Sequence, residues 1–563
     1  MGFFSKWKTR NEDLGRLKEI TSAFFEGGFD LYVRELKLEK YVKTAHKVRD
    51  FLSRTPIVEA PETPMPVKFR LILERLGPTF IKFGQLLSLR SDLIPSDYAA
   101  ELKNLQENVP PFDSGEARKI IESELKTPIK TVFRSFTDKP VASASLSQVY
   151  VAVLKNGKKV AVKVRRPKTR TLVEQDIRIM FYLAHWIESH YPEYQRFKPL
   201  KIVQEFADWT VKELDFRYEG KNFEILRKNF EGSETVVIPR VYWDYATEKV
   251  LVMDYVDGVS FNREADLKRL KLKPRTLAVN AADAILTQVF EHGFFHGDPH
   301  PGNLFALPGN KVAFLDLGIM GRLNEESRRD LSRFFIALMN EDFDEAVKRV
   351  VSLAEVSEKS DLKGFRKELE EIFSMWYNST LEQYDLVHLF YKSISSGSRY
   401  GVDFSPEFVL LSKAFVTMDS TVRELYPKFN LSKEARPYAK RLVEIESSPA
   451  MKGKRLLKIS KDYAEALEDI PRHVLQVVKR LESGEVNIKV DTHEFTTLTS
   501  ELYAINAMTT IGMIIAALII SSALIMGLPE QPSFAGYSIA RVEFYAAIGL
   551  SLWLAYLLLT KER

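Results

Sequence analysis

The chain has 563 residues, enough for about two to four domains with sizeable cores. Its 81 basic and 76 acidic residues nearly balance at a net charge of +5, and no dense Lys/Arg run with interleaved aromatics occurs, so a nucleic-acid partner is not indicated. The absence of cysteine excludes disulfides, thiol nucleophiles and cysteine-ligated zinc. Residues 1–6 lack the apolar run of a signal peptide and have Lys6 where the myristoylation pattern requires Ser or Thr.

The first 125 residues are predicted to be helical. Apolar and basic residues alternate at helical spacing over 71–87, with a break near Gly77-Pro78. A further helix is predicted over 98–107. Asp113 is expected to cap the next one, which covers 116–125.

Strand-forming sequence begins at about residue 129. Two runs rich in β-branched residues, 149–154 and 160–164, flank an Asn156-Gly157 pair, and Asn-Gly is the favoured two-residue turn of a tight hairpin. The second run places Lys163 on a hairpin strand. Protein kinases carry at this place the Lys that contacts nucleotide phosphates and pairs with a helix glutamate. The alternative for this short motif alone is an ordinary Lys on an edge strand.

A loop rich in small residues precedes the hairpin. Ala142, Ser143, Ala144 and Ser145 stand in place of the Gly-x-Gly-x-x-Gly loop that covers phosphates in protein kinases. Small side chains still let backbone N–H groups approach phosphates, and the hydroxyls add donors. Because alanine avoids positive φ, we expect this loop to cover phosphates with a more fixed geometry than a glycine flap.

Helical patterns return over 173–189 and 202–230, and two further strands are predicted before residue 254. The glutamate that would pair with Lys163 should come from this helical region, and the acidic segment 211–219 is the candidate. Spacing alone does not decide which acid faces the lysine, because most acids on such a helix are solvated.

A catalytic-loop motif and an Asp-x-Gly turn are the most informative features of the chain. Asp298 is followed five positions later by Asn303, which is the kinase spacing of an Asp that handles the acceptor's proton and an Asn that holds magnesium. Asp316 opens the Asp-x-Gly turn and would be the second magnesium ligand. Apolar runs around Pro308-Gly309-Asn310 predict a hairpin that brings Asn303 and Asp316 side by side. For Asp-Leu-Gly alone, the alternative is a loop beside a strand.

Two absences narrow the class of acceptor. Gly297 occupies the position where regulated protein kinases carry the Arg that pairs with an activation-loop phosphate. After Asp316 the chain passes within a few residues to Asn324, a plausible N-cap for a helix over 325–338, and no Ala-Pro-Glu motif follows. A docking platform for protein substrates is therefore not expected. A small or lipidic acceptor, or water, fits better.

Two uncharged runs lie near the C-terminus, over 502–529 and 544–560. Because about 17–25 apolar residues span a bilayer, we predict two transmembrane helices. Basic residues precede the first run and follow the second, whereas the loop between them carries only Arg541 as a base. This bias predicts a multi-pass protein of the cell membrane, with both termini and the kinase-like domain on the cytoplasmic side. The alternative is a buried helical hairpin of a soluble domain.

These motifs, together with Lys82-Phe83-Gly84-Gln85, resemble the UbiB family of atypical kinase-like proteins, which are associated with coenzyme Q and other isoprenoid lipids. The resemblance runs from residue 80 through 105–111, the alanine-rich loop and the catalytic loop to the Asp-Leu-Gly turn. It implies a kinase-like fold whose N-terminal helices lie over the active site. It also implies Mg-ATP binding, membrane association, and ATPase or unorthodox kinase activity more than protein phosphorylation.

The resemblance also implies roles for individual residues. Lys82 would reach into the nucleotide cleft and pair with an acid of Glu213-x-Asp215, and Lys163 would pair with Glu213 or Glu219. The residues expected to bind the nucleotide are Lys82, Gln85, Ala142, Ser143, Ala144, Ser145, Lys163, Glu213, Asp215 and Glu219. Two departures, Ser143 in the loop and Leu317 where the family usually has Phe, leave the chemistry intact and could alter nucleotide preference.

The predicted fold class is α+β, a bilobal protein-kinase-like fold with a family-specific N-terminal helical extension and a C-terminal transmembrane helical hairpin. The predicted domains are an N-terminal helical extension (1–125), a kinase-like N-lobe (126–255), a kinase-like C-lobe (256–425), a C-terminal helical region (426–500) and two transmembrane helices (501–563).

The predicted function is that of a membrane-anchored atypical kinase or ATPase that uses ATP with Mg²⁺ and supports ubiquinone or other isoprenoid-lipid biosynthesis. Asp316 and Asn303 would hold the cation, Lys163 would orient the α- and β-phosphates, and Asp298 would position the acceptor or water. Expected partners are an adenine nucleotide, membrane lipids including isoprenoid quinone precursors, and lipid-biosynthesis enzymes. Two alternatives are a small-molecule kinase of the aminoglycoside or choline type and a nucleotide-gated pseudokinase scaffold for lipid-modifying enzymes.

Overall fold

The chain forms two compact units, Met1–Met451 and Lys452–Arg563. The computed structural model describes residues 11–36, 38, 63–88, 94–105, 111–192, 195, 198–358, 360–378, 386–434, 436–447, 510–526, 533–534 and 537–560. Most of the predicted helical region 426–500, the beginning of the predicted first span and residues 106–110 of the family motif lie outside the described residues.

Helices form most of the first unit. In chain order they are α1 Asn11–Phe24, α2 Asp30–Glu35, α3 Met65–Leu76, α4 Pro78–Leu87, α5 Ser96–Leu102, α6 Ser114–Leu125, α7 Ile129–Val132, α8 Thr169–His190, α9 Pro199–Glu213, α10 Phe216–Asn229, α11 Glu264–Arg269, α12 Pro274–Thr287, α13 Glu325–Met339, α14 Phe343–Ser352, α15 Leu362–Asn378, α16 Leu386–Ser396, α17 Pro406–Leu425, α18 Leu431–Glu434 and α19 Arg436–Ser447. The predicted caps are confirmed at two of them, because Asp113 accepts the Glu116 N–H and Asn324 accepts the Ser327 N–H.

The strands are short and fall into small sheets. They are β1 Phe133–Phe136, β2 Ala142–Ser143, β3 Ser147–Leu154, β4 Lys159–Arg165, β5 Val236–Val237, β6 Val250–Asp254, β7 Val259–Ser260, β8 Phe294–His296, β9 Leu304–Leu307, β10 Lys311–Phe314, β11 Met320–Arg322, β12 Ala354–Glu355 and β13 Asp403–Phe404 in the first unit.

The first sheet has the order β1-β3-β4-β6, with β2 added to β3, and it contains the predicted hairpin. In the antiparallel β3–β4 pair, Val149 lies opposite Lys163. Val162 and Val164 are fully buried in a core with Ile121 of α6. Because side chains alternate along a strand, Lys163 faces the opposite side of the sheet, where the nucleotide cleft is expected.

The second sheet, β5-β10-β9-β7, contains the other predicted hairpin. The prediction is confirmed, since β9 and β10 pair antiparallel with Leu304 opposite Phe314. The hairpin continues past its strands, because the Leu315 N–H donates to the carbonyl of Asn303 at 3.0 Å. Asn303 therefore lies beside the residue that precedes Asp316. β5, predicted within the N-lobe range 126–255, instead pairs in parallel with β10 of this second sheet.

The helical segment predicted over 202–230 is two helices, α9 and α10, rather than one. The break falls at Leu214-Asp215, where the Asp215 carboxylate accepts the Arg217 N–H and so caps α10. Asp is a strong N-cap residue because its side chain satisfies an N–H that the helix leaves without a partner. The break turns Glu213 and Glu219 onto different helices.

The N-terminal helices pack on α8 and α9 in one shared core. Two ion pairs fix α1 on α8: Arg16 Nε lies 2.8 Å from Asp176 Oδ1, and Arg178 Nη2 lies 2.9 Å from Asp13 Oδ1. Both aspartates are buried, so each arginine places a positive charge next to a buried carboxylate. The extension is therefore an integral part of the first unit.

The second unit contributes the helix α20 over 510–526 and the helix α21, Ile539–Thr560. Before α21, the short strands β14 Ser533–Phe534 and β15 Tyr537–Ser538 pair antiparallel. Among these described residues no helix is sufficiently long and apolar to cross a bilayer. The predicted transmembrane hairpin and multi-pass topology are therefore not supported. α21 carries Arg541 and Glu543 near its start.

Candidate active site

The Lys163 ammonium connects three elements of the site. Its Nζ lies 2.7 Å from Glu219 Oε1 and 2.9 Å from Glu219 Oε2, on α10. The same Nζ lies 2.9 Å from Asp316 Oδ2, in the turn after β10. The structure thus pairs Lys163 with Glu219, one of the two glutamates that the sequence left open.

The three charges differ in how the buried site affects them. Burial alone would raise the pKa of Asp316, but the Lys163 ammonium and the Gly318 N–H hold it well below its usual range. Burial raises the pKa of Glu219 to about 7 despite its contact with Lys163. Burial disfavours the charged Lys163, yet the two carboxylates raise its pKa. Asp316 is therefore the group that stays ionised most strongly, and a carboxylate is the form that binds a divalent cation.

Helix α10 also holds the turn that carries Asp316. Asn222, one turn beyond Glu219, donates from Nδ2 to the Leu317 carbonyl at 2.8 Å. The Leu317 side chain is fully buried in the main core, where the family usually places Phe. The Gly318 N–H donates to Asp316 Oδ1 at 2.9 Å, which fixes the carboxylate. The orientation of Asp316 thus depends on the chain on both of its sides.

Lys82 and Glu213 form a second ion pair beside the first. Lys82 Nζ lies 2.5 Å from Glu213 Oε1, and the Lys82 side chain is only 8% exposed. A Cβ atom at Gly318 would lie 3.5 Å from Glu213 Cγ and 3.2 Å from Asp316 Oδ1. The Lys82–Glu213 pair therefore lies against the Asp316-Leu317-Gly318 turn. Only the family resemblance singles out Lys82, because its local sequence is that of an ordinary amphipathic helix.

The helix that carries Lys82 is fixed by close packing. A Cβ atom at Gly84 would lie 2.4 Å from Leu105 Cδ1 and 2.6 Å from Leu73 Cδ1, so the glycine lets α4 approach its neighbours. The Phe83 ring packs edge-on against Phe206 of α9, with centroids 5.3 Å apart. Gln85 is half-buried on the same helix, and its carbonyl accepts a hydrogen bond from Ser88 Oγ.

Asp215, the other acid of the motif, is not brought into this group. Its carboxylate caps α10 and pairs with Arg217, whose Nη2 lies 2.7 Å away. Burial would raise the pKa of Asp215, but the Arg217 guanidinium and N–H lower it. Asp215 does not join the two lysine pairs because its N-cap position turns the carboxylate toward the first N–H groups of α10.

The catalytic loop lies next to the Asp316 turn. Asn303 Nδ2 donates to the Asp298 carbonyl at 3.2 Å, which leaves its amide oxygen for another partner. Asp298 Oδ2 lies 3.0 Å from Lys413 Nζ. Burial would raise the pKa of Asp298, but the Lys413 ammonium and the two neighbouring histidines lower it. Lys413 lies 115 positions from Asp298, and no sequence motif indicates this contact.

The buried His296 side chain supports the backbone of the catalytic loop. The ring is 1% exposed, burial lowers its pKa to about 4, and Nδ1 accepts the Asp298 N–H at 3.2 Å. The backbone N–H of His296 donates to Gln288 Oε1 at 2.9 Å. A neutral imidazole therefore holds the backbone of Asp298 in place.

Arg166 fixes the alanine-rich loop. Its Nη2 lies 2.7 Å from Ser143 Oγ, and its Nε donates to the Ala144 carbonyl at 2.9 Å. Within the loop the Ala144 N–H donates to the Ser147 carbonyl at 2.8 Å, and Ser145 is 1% exposed. These contacts hold the loop as a short hairpin, while its coverage of phosphates stays a prediction.

Replacing Arg166 with Met should raise the KM for ATP about tenfold, because the loop loses two charge-assisted hydrogen bonds. Ser143→Ala removes one of these contacts and should have a smaller effect. Steady-state kinetics and hydrogen exchange of residues 141–147 provide the measurement. Unchanged exchange in the Arg166→Met protein would show that the arginine does not fix the loop.

These features define a kinase-like fold with a Lys–Glu pair, a catalytic loop and an Asp-x-Gly turn. Comparison with known families agrees. The ABC1 atypical kinase-like domain matches residues 104–350, the UbiB helical domain matches 369–430, and the ABC1/UbiB kinase-like C-terminal domain matches 493–559. The chain belongs to the UbiB family.

Relatives of similar length carry the name "Probable protein kinase UbiB". The protein from Sodalis glossinidius is 35% identical over 474 residues, which cover 83% of this chain and 86% of that protein. The protein from Aliivibrio fischeri strain MJ11 is 33% identical over 464 residues, or 82% and 85% of the two chains. A solved structure of Rv3197 with erythromycin, from Mycobacterium tuberculosis, aligns at 21% identity and a TM-score of 0.42 over 63% of this chain and 90% of that one.

Proposed function

We propose that this protein binds Mg-ATP between its two hairpins, β3–β4 and β9–β10, and transfers the γ-phosphoryl group to a small or lipidic acceptor or to water. The observation that carries the proposal is the Lys163 ammonium, which holds Glu219 and Asp316 from 56 and 153 positions away. Phosphoryl transfer in protein kinases requires this lysine, its partner glutamate and the Asp of the turn to lie close together. Their convergence supports nucleotide binding more strongly than any of the motifs alone.

The donor groups fit magnesium. Asp316 offers a carboxylate and Asn303 an amide oxygen, which are hard ligands. Nowhere in the described ranges do three or more His, Asp or Glu side chains form a group that could hold a metal. This agrees with Mg²⁺, which in nucleotide sites takes one or two protein ligands and completes its shell with phosphates and water. When bound, Mg-ATP would supply the phosphoryl group, and its Mg²⁺ would neutralise part of the negative charge of the phosphates.

The residues of this chain would do the rest by positioning. Lys163 would contact the α- and β-phosphates, and the N–H groups of the pinned loop Ala142 to Ser145 would cover them. Asp298 would orient the acceptor hydroxyl or a water and accept its proton. Phosphoryl transfer requires little more than this, because its barrier is lowered mainly by orientation and electrostatics.

The segment after Asp316 supports a small or lipidic acceptor. β11 pairs directly with β8 next to the catalytic loop, and the Gly297 N–H donates to the Ile319 carbonyl at 2.9 Å. α13 begins at Glu325, so the described chain leaves no room for a long activation segment. The relatives' names mention a protein kinase, but the short segment between Asp316 and α13 offers no surface on which a peptide substrate could dock. With the family's association with isoprenoid lipids, we propose a role in ubiquinone or related isoprenoid-lipid biosynthesis.

Asp298→Ala tests the proposal. The purified full chain should turn over Mg-ATP, and the variant should keep nucleotide affinity while losing turnover about 10²-fold. In a deletion strain, the wild-type gene should restore the isoprenoid-lipid profile, and the variant should accumulate the same intermediate as the deletion. Binding without any turnover by the wild-type protein would favour the scaffold, and a normal lipid profile in the deletion strain would exclude the proposed pathway.

A further inference from the structure

Helix α17, Pro406–Leu425, contacts three consecutive residues of the catalytic loop. Leu410 lies against Gly297, where a Cβ atom would come within 2.6 Å of Leu410 Cδ1. Lys413 Nζ lies 3.0 Å from Asp298 Oδ2. Thr421 Oγ1 donates to the Pro299 carbonyl at 2.9 Å. One helix therefore engages the loop before, at and after its central carboxylate.

The contact at Gly297 explains why the loop needs such a helix. In regulated protein kinases this position carries an Arg that ties the loop to a phosphorylated activation segment. Here Leu410 and Ile319 fill the space of any side chain, since a Cβ atom would also lie 2.9 Å from Ile319 Cγ2. The segment between Asp316 and α13 is too short to supply a substitute. The loop must be oriented from another part of the chain.

The Lys413–Asp298 pair has the properties of an orienting contact. The two side chains are 14% and 24% exposed, so the pair is largely shielded from water. An ion pair in such surroundings is stronger and more directional than one in water. The other titratable groups near the Asp298 carboxylate are His296 and His300 of its own loop. His296 belongs to the loop itself, and its Nδ1 accepts the Asp298 backbone N–H, so Lys413 is the cation that comes from a separate element.

We propose that Lys413 is a positioning residue for phosphoryl transfer, which holds the Asp298 carboxylate in the direction of the acceptor. Lys413 lies within the segment that matches the UbiB helical domain, 369–430, and outside the kinase-like match at 104–350. The helical domain thus completes the catalytic loop of the kinase-like domain. This inference rests on the proposed function and adds to it a residue that orients the catalytic group.

Lys413→Met in the full-length protein tests the inference. We expect kcat for Mg-ATP turnover to fall about 10- to 100-fold, because the Asp298 carboxylate loses its orientation, while the KM for ATP stays within about twofold. Lys413→Arg keeps a cation and should recover most of the lost rate. The matched control is Lys363→Met, which removes an exposed cation from α15 and should leave kcat unchanged.

A double-mutant cycle separates positioning from general stabilisation. If Lys413 acts through Asp298, Lys413→Met should cause no further loss in an Asp298→Ala background. Losses that multiply in the double variant, or a fall in kcat that Lys363→Met reproduces, would overturn the inference. Equal kcat in wild-type and Lys413→Met proteins would do the same while leaving the proposed function intact.

A second readout does not depend on turnover. Hydrogen exchange of residues 294–303 should increase in Lys413→Met and stay unchanged in Lys363→Met, whether or not the wild-type protein is active. If wild-type turnover is absent, the proposed function fails, and this arm still decides the inference. Unchanged exchange in the Lys413→Met protein would show that the ion pair does not hold the loop.

Discussion

Asp316→Asn is expected to abolish magnesium-dependent nucleotide binding, with an affinity at least about 10³-fold weaker than that of the wild-type protein. The amide keeps the shape of the side chain and can still accept the Gly318 N–H, but it lacks the charge that attracts a divalent cation. Lys163 keeps Glu219 as its partner, so the fold around the site should persist. Calorimetric titration with Mg-ATP, and with ATP in the presence of EDTA, measures the loss.

The control for this variant removes an exposed acid from the same domain. Asp244→Asn should bind Mg-ATP as the wild-type protein does, since Asp244 lies on the surface in a short turn. Wild-type affinity of Asp316→Asn, with the same dependence on magnesium, would contradict the assignment of Asp316. Loss of affinity in both variants would indicate a general electrostatic effect instead of a ligand.

The parts of the site that the sequence predicts best are those made by local structure. The β9–β10 hairpin depends on two short apolar runs and the turn Pro308-Gly309-Asn310, and its register follows from the loop length. The same holds for β3–β4, which carries Lys163. Because each hairpin closes over only a few residues, its geometry depends on the local sequence. The neighbourhood of Asn303 and the Asp316 turn could therefore be predicted.

The partners of the two lysines could not be predicted in this way. Glu213 and Glu219 are six positions apart on what the periodicity predicts as one helix, 202–230, and a continuous helix offers no reason to send them to different lysines. The break at Asp215 decides the matter. An Asp before an amphipathic run is an N-cap signal, so the sequence held a clue that the periodicity concealed.

Long-range contacts and the C-terminal runs mark the limit of sequence analysis. Nothing near Lys413 in sequence indicates that it meets Asp298, since the meeting depends on how α17 packs against the catalytic loop. Over 502–529 the absence of charge predicted a transmembrane span, whereas no helix in the described part of the chain is long and apolar enough to cross a bilayer.

The shared ammonium of Lys163 makes Glu219 more than a structural partner. Asp316 must be available to a cation, yet in the structure it contacts Lys163 at 2.9 Å. Glu219 contacts the same ammonium with both carboxylate oxygens. Lys163 would therefore keep an ion-pair partner if Asp316 turned to a metal ion. We therefore expect the Lys163–Glu219 pair to tune how readily Asp316 is released to a cation.

Glu219→Gln is accordingly expected to lower kcat/KM about 10²- to 10³-fold and to raise the magnesium concentration for half-maximal turnover about tenfold. Without the second carboxylate, Lys163 holds Asp316 more tightly, and the phosphate-orienting ammonium also loses its anchor on α10. The loss of stability should be about 1–3 kcal/mol, less than for a fully broken buried pair, because Asp316 still compensates the ammonium. Magnesium titrations of ATP turnover and thermal unfolding provide the measurements.

Glu224→Gln is the matched control, because Glu224 lies on the same helix, is exposed, and can still accept the Trp243 Nε1–H as an amide. It should leave both the magnesium dependence and kcat/KM unchanged. A Glu219→Gln protein that loses stability but keeps the wild-type magnesium dependence would mean that Glu219 only neutralises a buried lysine. A coupled shift would mean that Lys163 and the cation compete for Asp316, so that the apo ion pair sets the metal affinity of the site.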